Sequence, residues 1–258
     1  MIEGIAIGLV FAVLPIAVVV GIVAAVVAAR REGEDAPTAD EGIGSVRRLF
    51  IYLLAFVGVV FAAIGVSMVI GGAIDAATGE ALLADRRSSL AVALAFTVVG
   101  TPAWLLFMLL GQRSVHAHEV ERRSQARRLY FGVTRTVALA VVTWNAVSAG
   151  HMLMGTAPLT GGPWGTLVAW GGVWLLHQRL AAAEPASTTV TRLIDRLALY
   201  FGALLGLLLL VGGAITLLAS PLSEVYDRAF RGTIVTGGWD RGLREALVPC
   251  VIGGAIWF

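Results

Sequence analysis

At 258 residues, with 58% hydrophobic and 14% charged side chains and a mean hydropathy of +0.85, the chain carries more apolar surface than a water-soluble globule hides. Soluble domains run to about half apolar and about a quarter charged. The formal net charge of +2 comes from 19 basic residues, all Arg, against 17 acidic ones. The arginines cluster at the ends of apolar runs instead of along one face, so they give no ground for a nucleic-acid partner. Cys250 is the one cysteine, which excludes an intrachain disulfide and a Cys-cluster metal site.

In chain order, the first apolar run is Ile5 to Ala29, long enough for a bilayer crossing of about 20 residues. Glu3 precedes it and Arg30-Arg31 follow it, the reverse of a secretory signal. It reads as an uncleaved helix, bent at Pro15, with its N-terminus outside. Residues 32–44, acidic and rich in small and breaker residues, read as a cytoplasmic linker. Six further spans follow: Val46–Ile74, Ser88–Gln112, Ala126–Met154, Pro163–Ala182, Leu193–Ala219 and Gly242–Phe258. The expected fold class is therefore an all-α polytopic membrane protein with about seven transmembrane helices. The last span has 14 residues after Arg244, fewer than a crossing requires. The favoured expectation is a chain cut from a longer protein, with a re-entrant final helix as the alternative. An N-terminus outside leaves twelve arginines in cytoplasmic connections and six in outer ones, with Arg135 inside a span. That asymmetry matches the positive-inside bias and supports an N-terminus outside a plasma membrane.

After the first helix the chain reads as three same-direction hairpins, over 45–125, 126–190 and 191–258. Setting Arg48 on Arg196 places Tyr52 on Tyr200, Gly58 on Gly206 and Gly65 on Gly213 without gaps. The start Arg127-Arg128-Leu129-Tyr130 matches Arg47-Arg48-Leu49-Phe50, and the second helices align on GTPAW (Gly100–Trp104), WGGVW (Trp170–Trp174) and GGAIW (Gly253–Trp257). A period of about 70 to 80 residues is too long for the common solenoids and suits a transmembrane hairpin. Arg47, Arg48, Arg127, Arg128, Trp104, Trp174 and Trp257 then read as membrane anchors at the interfaces, and the glycines as points of close helix approach.

On these motifs, from Ser45 onward, the sequence resembles an uncharacterised-domain family of bacterial multi-pass membrane proteins with repeated Arg-Leu-Tyr…Trp helix pairs. The third start, Arg192 to Arg196, departs from that pattern. The resemblance implies no activity and no catalytic residues.

Polar groups within spans are the functional candidates. Asn145, Ser148 and His151 share a face of the fourth span, and Arg135 lies near its inner end. They are the candidate ligand-binding set, with interhelical hydrogen bonding as the plainer account of Asn145 and Ser148 and snorkelling to the interface as that of Arg135. His151 near the outer end of the fourth span and His177 near the inner end of the fifth fall at opposite sides of the bilayer, poorly placed to share one metal or haem, although each can serve as one axial ligand with a partner elsewhere. His116 and His118 lie in a polar loop without a third ligand nearby, so no metal site is expected there. The Arg-rich segment Arg113–Arg128 suits anionic lipid headgroups. Pro221–Arg231 carries apolar residues at helical spacing and reads as an amphipathic interfacial helix or lid. Phosphate loops, zinc-protease pairs and nucleophile elbows are absent from the sequence. The expectation is a non-enzymatic structural or accessory subunit of a membrane assembly, without catalytic residues or cofactor. A small-molecule or ion transporter with its path along the fourth span is the alternative, and a membrane haem protein comes third.

Overall fold

In a computed structural model of the chain, residues 41–79, 86–117, 125–184, 189–231 and 239–257 are described, and every regular element among them is helical. The helices are α1 (Glu41–Thr78), α2 (Arg86–Ala117), α3 (Gln125–Leu153), α4 (Gly161–Ala182), α5 (Thr189–Tyr226) and α6 (Trp239–Trp257). A one-turn π-helix, Asp227–Arg231, follows α5. All six expected helices after the first are present; the run Ile5–Ala29 lies outside the described residues, as does most of the expected linker. Glu41 to Gly44 already belong to α1 and not to a connector.

Among the described residues, four segments are long and apolar enough to cross a membrane: Arg47–Thr78, Arg87–Arg113, Ala126–Leu153 and Ile194–Phe230. The composition of the two shorter helices accounts for their absence from this set. The last turns of α4 hold His177, Gln178 and Arg179, and the first turns of α6 hold Asp240, Arg241, Arg244 and Glu245.

Pro221–Arg231 is no separate interfacial helix. Its period continues that of α5, which runs through Pro221 to Tyr226 before the π-turn. Its apolar side is left uncovered, Leu222 being 70% and Phe230 76% exposed.

The described helices divide into two compact units. One takes the residues up to Ala62 with Phe96–Val137 and Val173–Ala198; the other takes Ala63–Ala95, Ala138–Gly172 and Leu199–Phe258. In the first unit, α1 and α2 meet at glycine. A Cβ at Gly100 would stand 2.8 Å from the Cβ of Phe61 and closer still to the Ala62 nitrogen, and one at Gly58 would stand 2.7 Å from the Trp104 nitrogen. Only a missing side chain permits backbones this close. The core beside this contact is aromatic, built on Tyr52, Phe131 and Tyr130 with Ala55, Met108 and Ala181.

In the second unit, α5 and α6 make the same kind of approach, with Gly253 against Leu209 and Leu210 and Gly206 against Gly253 and Ile256. Gly161 and Gly165 of α4 pack onto Gly71 and Ser67 of α1. The first amide of α4, at Gly161, donates to Asp75 Oδ1 at 2.5 Å, which satisfies one of the orphan donors of a helix start. The turn after α3 closes through Gly155, whose φ of 67° lies in the left-handed region. Cys250 Sγ faces the Leu210 carbonyl at 3.9 Å, consistent with a small packed residue.

Candidate functional site

The densest polar cluster lies inside the first unit, where α3, α4 and α5 bring Arg, Glu, Asp, Tyr and His together. Its centre is the start of α3. Arg127 is 1% exposed, a costly position for a guanidinium without a counter-charge. Its Nε donates to Glu184 Oε2 at 2.9 Å and its Nη2 to Oε1 at 2.6 Å, a forked pair of charge-assisted bonds. Nη1 donates to Tyr52 Oη at 3.2 Å, and the cation lies 5.1 Å from the Phe131 ring centroid.

Arg128, the next residue, has a different task. Its Nη1 donates to the Ala181 carbonyl at 3.0 Å, which also accepts the Glu184 amide at 3.3 Å, and to the Glu184 carbonyl just past the end of α4. A cation there also complements the helix dipole. Its Nη2 pairs with Asp195 Oδ2 at 2.9 Å. Asp195 is shared, because Arg135 Nη2 reaches Oδ1 at 2.7 Å while Arg135 Nη1 donates to Gln178 Oε1 at 3.1 Å. Two carboxylates thus tie three arginines of α3 to α4 and α5.

A second chain of hydrogen bonds runs beside this clamp. Trp104 Nε1 donates to Tyr130 Oη at 3.1 Å, and Tyr130 Oη lies 2.7 Å from His177 Nε2. His177 Nδ1 lies 2.8 Å from the Val173 carbonyl. An indole nitrogen only donates and a carbonyl only accepts. The Nδ1 of His177 therefore carries the proton, and Nε2 accepts from Tyr130. His177 and Phe131 are both completely buried. This tautomer commits the Nε2 lone pair to Tyr130, so a haem or metal at His177 would first have to displace that hydroxyl. Among the described residues no group of three or more His, Cys, Asp and Glu is placed to hold a metal ion.

The sequence candidates divide accordingly. Arg135 is bound within the ion-pair cluster. Asn145 Nδ2 donates to the Val141 carbonyl of its own helix at 2.8 Å, and Ser148 Oγ to that of Trp144 at 3.3 Å. His151 Nδ1 lies 3.2 Å from Thr156 Oγ1, in the turn after α3. These three belong to the second unit, and no bond joins them into one face. Of the expected anchors, Arg127 and Arg128 are buried clamps instead, and Trp104 is a donor within the network. Arg47 is exposed and Arg48 and Trp174 are half-buried, and Trp257 is 43% exposed. The His116–His118 loop falls where side chains are not described.

Tyr52, Tyr130, His177, Glu184 and Asp195 were not singled out as a group by sequence. One signal was available: Glu184 and Asp195 are acids at the ends of apolar runs otherwise flanked by arginine. Among the described side chains of the first unit, arginine stands at 47, 48, 113, 127, 128, 135, 179, 192 and 196, against Glu184 and Asp195 as the acids.

Beside the network lies a shallow cleft between α1 and α3, lined by Leu49, Tyr52, Leu53, Phe56, Ala126, Leu129, Tyr130 and Val133. Its walls are almost wholly apolar.

Together these features define an all-helical protein with, among the described residues, four helices long and apolar enough to cross a membrane and an arginine-rich polar clamp. Residues 48–161 match a family model described as a domain of unknown function, DUF5671, and the chain is accordingly consistent with an uncharacterised domain family. The match is narrower than the resemblance read from sequence, covering α1 to α3 and the turn into α4. No curated protein and no solved structure matches the chain.

Proposed function

We propose that the chain is a non-enzymatic, multi-pass protein of the bacterial plasma membrane, N-terminus outside, acting as a structural or accessory subunit of a membrane assembly. The observation that carries this reading is the use of the buried charges. Arg127, Arg128 and Arg135 direct most of their donors to Glu184, Asp195 and carbonyls at the end of α4, which fixes α3 against α4 and α5 within the first unit. The count of cytoplasmic and outer arginines supports the orientation.

The repeat belongs to the same reading. In the register that sets Arg48 on Arg196, Phe61 falls on Leu209 and Ala62 on Leu210. Gly100 packs on the first pair and Gly253 on the second, so the first and third hairpins share a helix contact, as duplication requires. The middle hairpin departs: Gly171 and Gly172 face open space, and Trp170 occupies the place of Gly100.

A transport path along α3 has less support, because Asn145 and Ser148 bond back to their own helix. The test is purification in mild detergent with crosslinking, alongside a thermal-stability screen against small polar metabolites. The accessory role predicts stoichiometric recovery with one membrane complex and no ligand shift. A metabolite that stabilises the wild type but not Asn145→Ala would replace this reading with the transporter.

A further inference from the structure

The cleft of the first unit is made by two ladders of equal period, Leu49, Tyr52, Leu53 and Phe56 on α1 facing Ala126, Leu129, Tyr130 and Val133 on α3. Both polar groups that border it are already engaged: the Tyr52 hydroxyl accepts from Arg127, and the Tyr130 hydroxyl bridges Trp104 and His177. The cleft therefore offers mainly ring faces and aliphatic carbon, which favours hydrocarbon over a polar ligand. It is open, with Leu53 38% exposed. Charge adjoins one end. Arg47 and Arg48 immediately precede Leu49, and Arg48 shares a helix face with Tyr52. Among the described side chains of the unit, arginines outnumber acids.

We infer that this cleft binds an anionic glycerophospholipid, one acyl chain lying between the α1 and α3 ladders and the phosphate at Arg47 and Arg48. The inference rests on the membrane reading above. An apolar groove with cations at its end matches such a lipid in both parts, whereas a zwitterionic lipid gains only the hydrocarbon part.

The experiment uses the full chain in detergent, titrated with phosphatidylglycerol or phosphatidylcholine of identical acyl chains, and read by native mass spectrometry and thermal unfolding. Wild type retains phosphatidylglycerol preferentially, by about fivefold for each arginine at the headgroup. Arg47→Ala/Arg48→Ala loses the preference but keeps the weaker binding common to both lipids. Leu53→Trp, which fills the cleft, and Leu53→Gln, which makes it polar, lose both; these exposed-site changes leave the buried network intact. Inorganic phosphate and glycerol phosphate give no stabilisation. Equal retention of the two lipids, a preference that survives Arg47→Ala/Arg48→Ala, or stabilisation by phosphate alone overturns the proposal. So does a photoreactive residue at position 53 that crosslinks to residues 5–29 of the chain instead of to lipid. Alkaline extraction of the chain from cell membranes, by contrast, would sink the membrane reading itself.

Discussion

Arg127 holds Glu184 through two nitrogens, at 2.9 and 2.6 Å, across 57 positions of sequence. A nearly inaccessible cation and a carboxylate just past the end of α4 are thereby made one unit, and the start of α3 cannot separate from that end without exposing both.

Glu184→Ala should therefore destabilise the protein by about 2–4 kcal/mol, somewhat below the fully buried limit because Glu184 is 22% exposed. Arg127→Met combined with Glu184→Leu should cost much less than the sum of the single changes, since no charge is left buried alone. Equilibrium unfolding in detergent measures both. A loss within about 0.5 kcal/mol for Glu184→Ala would mark the pair as an ordinary surface contact.

Tyr130→Phe removes the hydroxyl that serves both Trp104 and His177, stranding one donor and one acceptor. The expected cost is about 1–3 kcal/mol. Tyr200→Phe is the control: Tyr200 is 59% exposed, and the change should stay within about 0.5 kcal/mol. Similar losses for the two variants would contradict the relay.

The glycine contacts make an opposed pair of predictions. Gly100→Ala and Gly253→Ala place a methyl group into facing backbone and should each cost about 1–3 kcal/mol. Gly171→Ala and Gly254→Ala meet open space and should be neutral or stabilising by up to about 1 kcal/mol. Thermal unfolding of the four variants decides whether these positions are contacts between helices or ordinary helix residues.

Asn145→Ala and Ser148→Ala should each change stability by no more than about 0.5 kcal/mol, because each side chain bonds a carbonyl four residues back that already lies in its own helix. A larger loss would show that these groups hold a neighbouring helix after all, and unfolding curves distinguish the outcomes directly.

Much of the helical plan was legible beforehand. All the later apolar runs form helices, and the glycines singled out at Gly58, Gly100, Gly206 and Gly253 do sit at close approaches, because hydropathy and small-residue spacing are local properties written along the chain. The interfacial helix expected over Pro221–Arg231 failed for an equally local reason: its apolar period is in phase with α5, and a proline inside the run did not end it. The site was less legible. Arg127 and Arg128 have the same sequence character as Arg47 and Arg48, yet the first pair is buried and the exposed Arg47 is not.

The sequence by itself determined an all-helical chain, helices apolar enough to cross a membrane, and arginines gathered at their ends. Only the tertiary structure decided which arginines are buried, that Asp195 serves both Arg128 and Arg135, and which ring nitrogen of His177 bears its proton. Helix formation follows from residues three and four apart, whereas these charges find their partners some 50 to 70 positions away. Their partners are set by how the helices pack, which no single helix encodes.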